Sequence, residues 1–260
     1  MSGIVDLSVI RFAMIYLLLL VVLFIMKKAH IAQSRLLLVA SIRMTVQLVI
    51  VGFVLEYIIY TKNPIYTLLF LALMIGFSIY LMLKNQKKLP RYFKWAMSLA
   101  LLISGVLILI FFVVGVVKQS FFNGQYTIPL AGMIIGNSMT GINIAVKSFV
   151  ESVDQERLKI QTLLNLGIEP EAILRPMANR ALETALIPTL NSMLGLGIIF
   201  LPGMMTGQIL SGTLPTTAIM YQIAIMIAIA ASVCIAVFFA LYIGLKSLYN
   251  SEKQFIPIEN

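Results

Sequence analysis

Acidic, imidazole and thiol groups are scarce in this chain: its 260 residues include ten Asp and Glu, one His and one Cys. Cys234 lies in an apolar run, which excludes an intrachain disulfide framework and a Cys-based metal site. His30 stands alone in a basic loop and reads as solvated rather than catalytic. No Gly-x-x-x-x-Gly-Lys-Ser/Thr string occurs, so the chain lacks that kind of ATP-phosphate cradle. His-Glu-x-x-His and Gly-x-Ser-x-Gly strings are missing too, and no acids cluster inside an apolar run. These absences argue against an intrinsic enzyme. No catalytic residue and no resident cofactor is expected.

What the chain has instead is apolar surface. Hydrophobic residues make up 60% of it and charged residues 11%, with a mean hydropathy of +1.00. A soluble domain of this size cannot bury that much apolar area, but lipid can solvate it. The expectation is one all-α polytopic membrane domain over residues 1–260. About seven spans are predicted, at 5–26, 36–59, 64–83, 95–117, 128–148, 185–202 and 216–245, most of them longer than the roughly 20 residues a helical crossing needs. The first span is too long for a signal-peptide core and is followed, not preceded, by Lys27 and Lys28.

A net charge of +9 would suggest nucleic acid in a soluble protein; here the basic residues read as orientation signals. Of the 19 Lys and Arg, 15 fall in the loops at 27–35 and 84–94, the region 147–184 and the C-terminal tail, all on one side of the predicted topology. The opposite loops hold Lys62 and Lys118. The basic side is cytoplasmic by this rule, with the N-terminus outside and the C-terminus inside a bacterial cytoplasmic membrane. Arg11 is expected to snorkel outward or pair with Asp6. Arg43, one turn before Gln47, either snorkels or pairs with a carboxylate of 149–184.

Polar residues concentrate between Pro129 and Pro215. In the fifth span Gly132, Gly136 and Thr140 recur every four residues, as do Asn137, Gly141 and Ala145. Small residues at that spacing let helix backbones approach closely. Asn137, Ser138, Thr140 and Asn143 either glue helices together or line a pathway; both readings stand. In the sixth span Pro188 precedes Asn191 and Ser192, and a proline there frees a backbone carbonyl beside an amide and a hydroxyl. A Gly-Met-x-x-Gly-amide string at 132–137 is echoed at 203–208, marking Gly203, Gly207 and Gln208. The echo predicts a short helix or re-entrant segment over 203–212, packed on the start of the fifth span.

Between those spans lies a charged insert, 149–184. Its residues 150–166 read as an amphipathic helix bearing Glu151, Asp154, Glu156, Arg157, Lys159 and Leu164. Gly167 is a helix stop and Pro170 a new helix start. A helix that mixes apolar and charged residues fits a groove on a soluble motor, so these six residues are candidate coupling contacts.

The strings PLAGMIIGNSMTG, NRALETALIPTLNSM and LPGMMTGQIL resemble the Fet-type iron-export permeases of bacteria, relatives of the plant permeases linked to aluminium tolerance. The resemblance spans nearly the whole chain. It implies the membrane half of an ABC exporter, with ATP bound by a separate ATPase subunit and the permease present as a homodimer. It does not show the metal ligands. The polar spans offer amides, hydroxyls and Met133, Met139, Met193, Met204 and Met205, but no acid or imidazole at mid-span, and Met is also ordinary packing material. The alternatives are an ABC permease for a lipid or nucleotide-sugar, an ATP-independent carrier or channel, and a membrane adaptor.

Overall fold

The computed structural model describes residues 8–31, 33–84, 86 and 89–249. They form helices joined by short connections: α1 (Val9–Lys28), α2 (Ser34–Thr61), α3 (Pro64–Lys84), α4 (Arg91–Ile110), α5 (Gly124–Gln155), α6 (Arg157–Asn165), α7 (Pro170–Gly195), α8 (Gly203–Leu210) and α9 (Pro215–Leu245). α4 runs on as a π-helical segment, Phe111–Val116, where the Val117 amide donates to the carbonyl of Phe112 five residues back. By length and composition, α2, α3, α4 with its π extension, α5 and α9 can each cross a bilayer. α1, with Arg11, Lys27 and Lys28, and α7, with Glu171, Arg175, Arg180 and Glu183, are not in that set. The chain is an all-helical integral membrane protein.

The core is a bundle of α4, α5, α7 and α9, with α3 against α4 and α5. Small residues set how closely it closes. A Cβ added at Gly141 of α5 would stand 2.7 Å from Val233 Cγ1 of α9, and one at Gly244 of α9 would stand 2.7 Å from the Phe93 ring of α4. Ala178, Ala181 and Ala185 give α7 an equally slim, buried face. Around these contacts lie Met97, Leu101, Ile134, Ile142 and Val237, and Phe93 stacks on Phe149 with ring centroids 6.4 Å apart. α1 and α2 stand outside this bundle. They are joined by a 2.5 Å hydrogen bond between Tyr16 and Thr45, and Ile58 is the buried residue of α2.

The predicted second, third, fourth and seventh spans match α2, α3, α4 with its extension, and α9 to within a turn or so. The first span begins in residues outside those described, as does Asp6, the expected partner of Arg11. Several expectations need correcting. First, the fifth span is longer at both ends, because Asn123 caps the helix by accepting from the Gln125 amide, well before Pro129. Second, no single amphipathic helix covers 150–166. α5 continues to Gln155, the chain bends at Glu156, and α6 is a separate short helix. Third, the sixth span is not 185–202. α7 runs unbroken from Pro170 through Pro176 and Pro188 and stops at Gly195, where Gly197 takes φ +82°. Fourth, of the two alternatives for Arg43 the pairing with a carboxylate of 149–184 is not the one seen: Arg43 lies over the Phe77 ring of α3, 5.2 Å from its centroid.

The two punctuation marks within the insert do hold. Gly167 adopts φ +80° after α6, a left-handed turn that suits glycine, and Pro170 opens α7. The segment 203–210 is a helix, α8, as the echo suggested, but its packing partner is α9 rather than the start of α5.

Candidate functional site

α5, α7 and α9 border a half-open cavity of about 220 Å³, with Asn137 and Thr140 exposed at its mouth. α5 lines it with Met133, Asn137, Thr140, Gly141 and Ile144, spaced along one helix face. Ala185, Pro188, Thr189 and Ser192 form the α7 wall, and Gln222, Met226 and Ile229 the α9 wall. Leu196, Phe200 and Pro202, just beyond α7, close one end. Apolar walls carrying a few convergent polar groups are the usual make-up of a small-molecule site.

The polar groups are oriented by their own helices. The Thr140 hydroxyl donates to the Gly136 carbonyl at 3.0 Å, and the Ser192 hydroxyl to the Pro188 carbonyl at 2.9 Å. The Asn137 amide nitrogen donates to the Met133 carbonyl at 2.7 Å. Gln222 is only 5% exposed, yet its Oε1 has no hydrogen-bond partner. A buried amide oxygen left unpaired costs about 1–3 kcal/mol unless something fills the site.

Of the residues singled out from the sequence, the structure brings together Asn137, Thr140, Gly141, Pro188 and Ser192 in this cavity. The others lie elsewhere. Ser138 is fully buried and shares a 2.8 Å hydrogen bond with Ser232 of α9, a helix–helix tie. Gly132 sits against Met74 of α3, whose Cε would be 3.4 Å from an added Cβ. Gly136 faces open space, with nothing within 4 Å of an added Cβ, so within one chain it packs no helix. Asn143 has a buried, unpartnered Oδ1 and borders a second space of about 430 Å³ beside Gln86, Lys147, Val150 and Glu151. Asn191 is exposed on α7. In α8 the positions of Gly203 and Gly207 are open, while Gln208 buries an unpartnered Oε1. Met133 and Met226 reach the cavity; Met139, Met193, Met204 and Met205 do not line it. Among the described residues no group of three or more His, Cys, Asp or Glu stands together.

Sequence reasoning missed Gln222, Thr189 and Ser232. Gln222 was findable as an amide within an otherwise apolar span, the same signal that marked Asn137.

At the far end of α5, Glu156 accepts from Arg180 of α7 at 2.6 Å and from Lys159 of α6 at 2.9 Å. Those bonds, Lys159 foremost and Arg180 next, hold its carboxyl below the usual carboxylate range. The bend between α5 and α6 is thereby tied to α7. Beside it, the Tyr242 hydroxyl of α9 donates to Asn179 Oδ1, and Arg175 lies over the Tyr242 ring. Glu151, Asp154 and Arg157 are exposed, and Glu151 pairs with Lys147 at 3.8 Å. Leu164 is half-buried against the core, and Ile160 of the same helix is fully buried. The apolar residues that this corner presents outward are Leu158, 81% exposed, and Leu166, 73% exposed.

A bundle of bilayer-length apolar helices with a partly polar cavity between them and a charged corner at one end defines a broad class, the polytopic helical membrane proteins. Within it, the chain belongs to the uncharacterised protein family UPF0014, whose model matches residues 9–249. It is similar to the UPF0014 membrane protein YjkA of Bacillus subtilis, 32% identical over 90% of this chain and 94% of that one. It is 29% identical to the "Probable iron export permease protein FetB" of Escherichia coli, over 94% of this chain and 93% of that one. The protein ALUMINUM SENSITIVE 3 of Arabidopsis thaliana is 30% identical, over 82% of this chain and 77% of its own length. No solved structure matches significantly.

Proposed function

We propose that the chain is the membrane permease subunit of an ABC exporter that moves iron or another metal outward, driven by ATP hydrolysis on a separate ATPase chain. The observation that carries this reading is the half-open cavity where α5 and α9, both long and apolar enough to cross a bilayer, gather amides and hydroxyls against α7. Polar groups on such helices are costly and mark solute routes. The likeness to FetB along most of both chains supports a metal as the solute.

Glu156, Arg180 and the exposed Leu158 and Leu166 are the elements the ATPase would engage, with Glu151, Asp154, Arg157 and Lys159 around them. A homodimer is supported by the faces one chain leaves uncovered at membrane depth: Gly136, Asn137 and Asn191 on α5 and α7, and most of α1 and α2. The basic bias supports an N-terminus outside and a cytoplasmic C-terminus in the bacterial cytoplasmic membrane.

The test is reconstitution with the cognate ATPase in proteoliposomes. ATP-dependent uptake of ferrous ion into inside-out vesicles, abolished when the ATPase is omitted, is the expected result. Uptake that proceeds equally without the ATPase would replace the exporter with an ATP-independent carrier or channel.

A further inference from the structure

α5 differs from the other bilayer-length helices in what it leaves uncovered. Every exposed residue of α5 is polar, charged or a proline, from Gln125 and Pro129 through Asn137, Thr140 and Lys147 to Gln155. Among the described residues, no large hydrophobic side chain is exposed between Phe122 and Leu158. The helices around it do the opposite: α3 exposes Leu69 and Leu73, α4 exposes Ile103 and Leu107, and α9 exposes Ile223 and Ile227. Those faces suit lipid. α5 is also long and apolar enough to cross a bilayer, but its bare side carries amides, hydroxyls and charges. Lipid offers such groups no hydrogen-bond partner.

The bare residues form one stripe. Pro129, Gly136, Thr140, Lys147 and Glu151 follow one another at the spacing of a single helix face. Halfway along, Asn137 and Thr140 stand exposed at the mouth of the cavity between α5, α7 and α9, so the stripe and the open side of the cavity coincide. Nothing in the same chain covers Gly136, where an added Cβ would meet no atom within 4 Å. The missing cover has to be protein, because polar groups at that depth are tolerated against protein or in a water-filled space that protein walls off from lipid.

The charges point to the occupant. Lys147 and Glu151 lie one turn apart on the stripe, 3.8 Å from each other and both exposed. A second copy related by a two-fold axis along the membrane normal runs parallel to the first. Each Lys147 then stands about one turn, roughly 5.4 Å, from the depth of the other copy's Glu151, and the match is reciprocal. A face with one charge of each sign complements itself, whereas a partner of a single sign leaves one charge unmatched. Gly136, which has no side chain, lets the two backbones approach at mid-stripe.

We infer that α5 pairs with α5 of a second copy along this stripe, and that the second copy's helix closes the mouth of the cavity, which is complete only in the dimer. The inference rests on the homodimer of the proposed permease and adds which helix pairs and what the pairing does. Asn137 and Thr140 of both copies then face one shared space, and a solute there is kept from lipid.

The test is disulfide cross-linking of the full-length chain in lipid vesicles, in a Cys234→Ala background so that the introduced thiol is the only one. Two α-carbons must come within about 7 Å to be bridged. Thr140→Cys should give a covalent dimer on mild oxidation, whereas Leu107→Cys on α4 and Ile227→Cys on α9, both 57% exposed, should not. Adding Gly136→Leu to Thr140→Cys should abolish the cross-link while circular dichroism shows the chain folded, because within one chain that side chain has room. If Gly136→Leu does not fold, the contrast between Thr140→Cys and the two lipid-facing positions decides. Native mass spectrometry counts the copies independently. The α5 pairing is overturned, with the homodimer left standing, by two copies that show no Thr140 cross-link, equal yields at all three positions, or a cross-link that survives Gly136→Leu in a folded chain. A single copy removes the homodimer itself and the inference with it.

Discussion

Replacing Gly141 with alanine adds one methyl group at the tightest contact between α5 and α9. That carbon would lie 2.7 Å from Val233 Cγ1 and 3.4 Å from Val237 Cγ2. Carbon atoms settle at about 3.5–4.0 Å, so the first contact is short by roughly 1 Å. Val233 cannot rotate away cheaply, because a β-branched side chain in a helix has one strongly preferred χ1. The helices must separate or strain, a cost of about 1–3 kcal/mol for overpacking of this kind. Gly136 is the internal control: it sits on the same helix, but an alanine there meets nothing within 4 Å. The assay is thermal or denaturant unfolding of the purified chain in a defined detergent. Gly141→Ala is expected to be destabilised by that amount and Gly136→Ala to stay within about 0.5 kcal/mol of native. Val233→Ala introduced into Gly141→Ala should recover a large part of the loss, as neighbouring sites couple. Equal behaviour of the two alanine variants, or no rescue by Val233→Ala, would refute the packing described for α5 on α9.

Three further outcomes follow from other contacts. Ser138→Ala and Ser232→Ala should each cost about 1–3 kcal/mol by stranding a buried hydroxyl, while the double variant costs less than the sum of the two, read from a double-mutant cycle of unfolding. Because the Glu156 carboxyl is held below its usual range, its stabilising effect is present above the ordinary carboxylate value and is lost as pH falls through the depressed one. The native chain should therefore keep a constant, salt-sensitive advantage over Glu156→Gln at neutral pH and lose it only on the acid side, as measured by melting across a pH series. Leu158→Asp should abolish co-purification of the ATPase with melting unchanged, since Leu158 is exposed, whereas Ile160→Asp should lower the melting temperature by burying a charge; retained ATPase binding in Leu158→Asp would remove α6 from the coupling surface.

The helical, membrane-embedded character of the chain was present in its sequence. Apolar runs such as 36–59 and 216–245 admit one physical solution in lipid, a helix that satisfies its own backbone. Local chemistry also marked boundaries, as at Gly167 and Pro170, where a positive φ and a missing amide hydrogen act through the chain's immediate neighbours. The sequence likewise pointed to α5 and α7 as the polar helices, because amides, hydroxyls and glycines are rare in lipid-facing spans.

Tertiary structure decided what each of those residues does. Periodicity places Gly136 and Thr140 on one helix face, but not which face meets a neighbour; the position of α9 makes Gly141 a contact and leaves Gly136 open. Ser138 and Asn137 are adjacent and chemically alike in sequence, yet Ser232 claims the first and the cavity the second. The bend at Glu156 lay inside an amphipathic pattern that continues on either side of it, and is held by Arg180, a residue of another helix. α7 persists through Pro176 and Pro188 because a proline removes single hydrogen bonds while the helix on either side stays packed against α5 and α9. Gln222 joins the cavity wall only because α9 packs against α5 and α7; in the sequence it is one amide in an apolar span, and its neighbours come from helices far away along the chain.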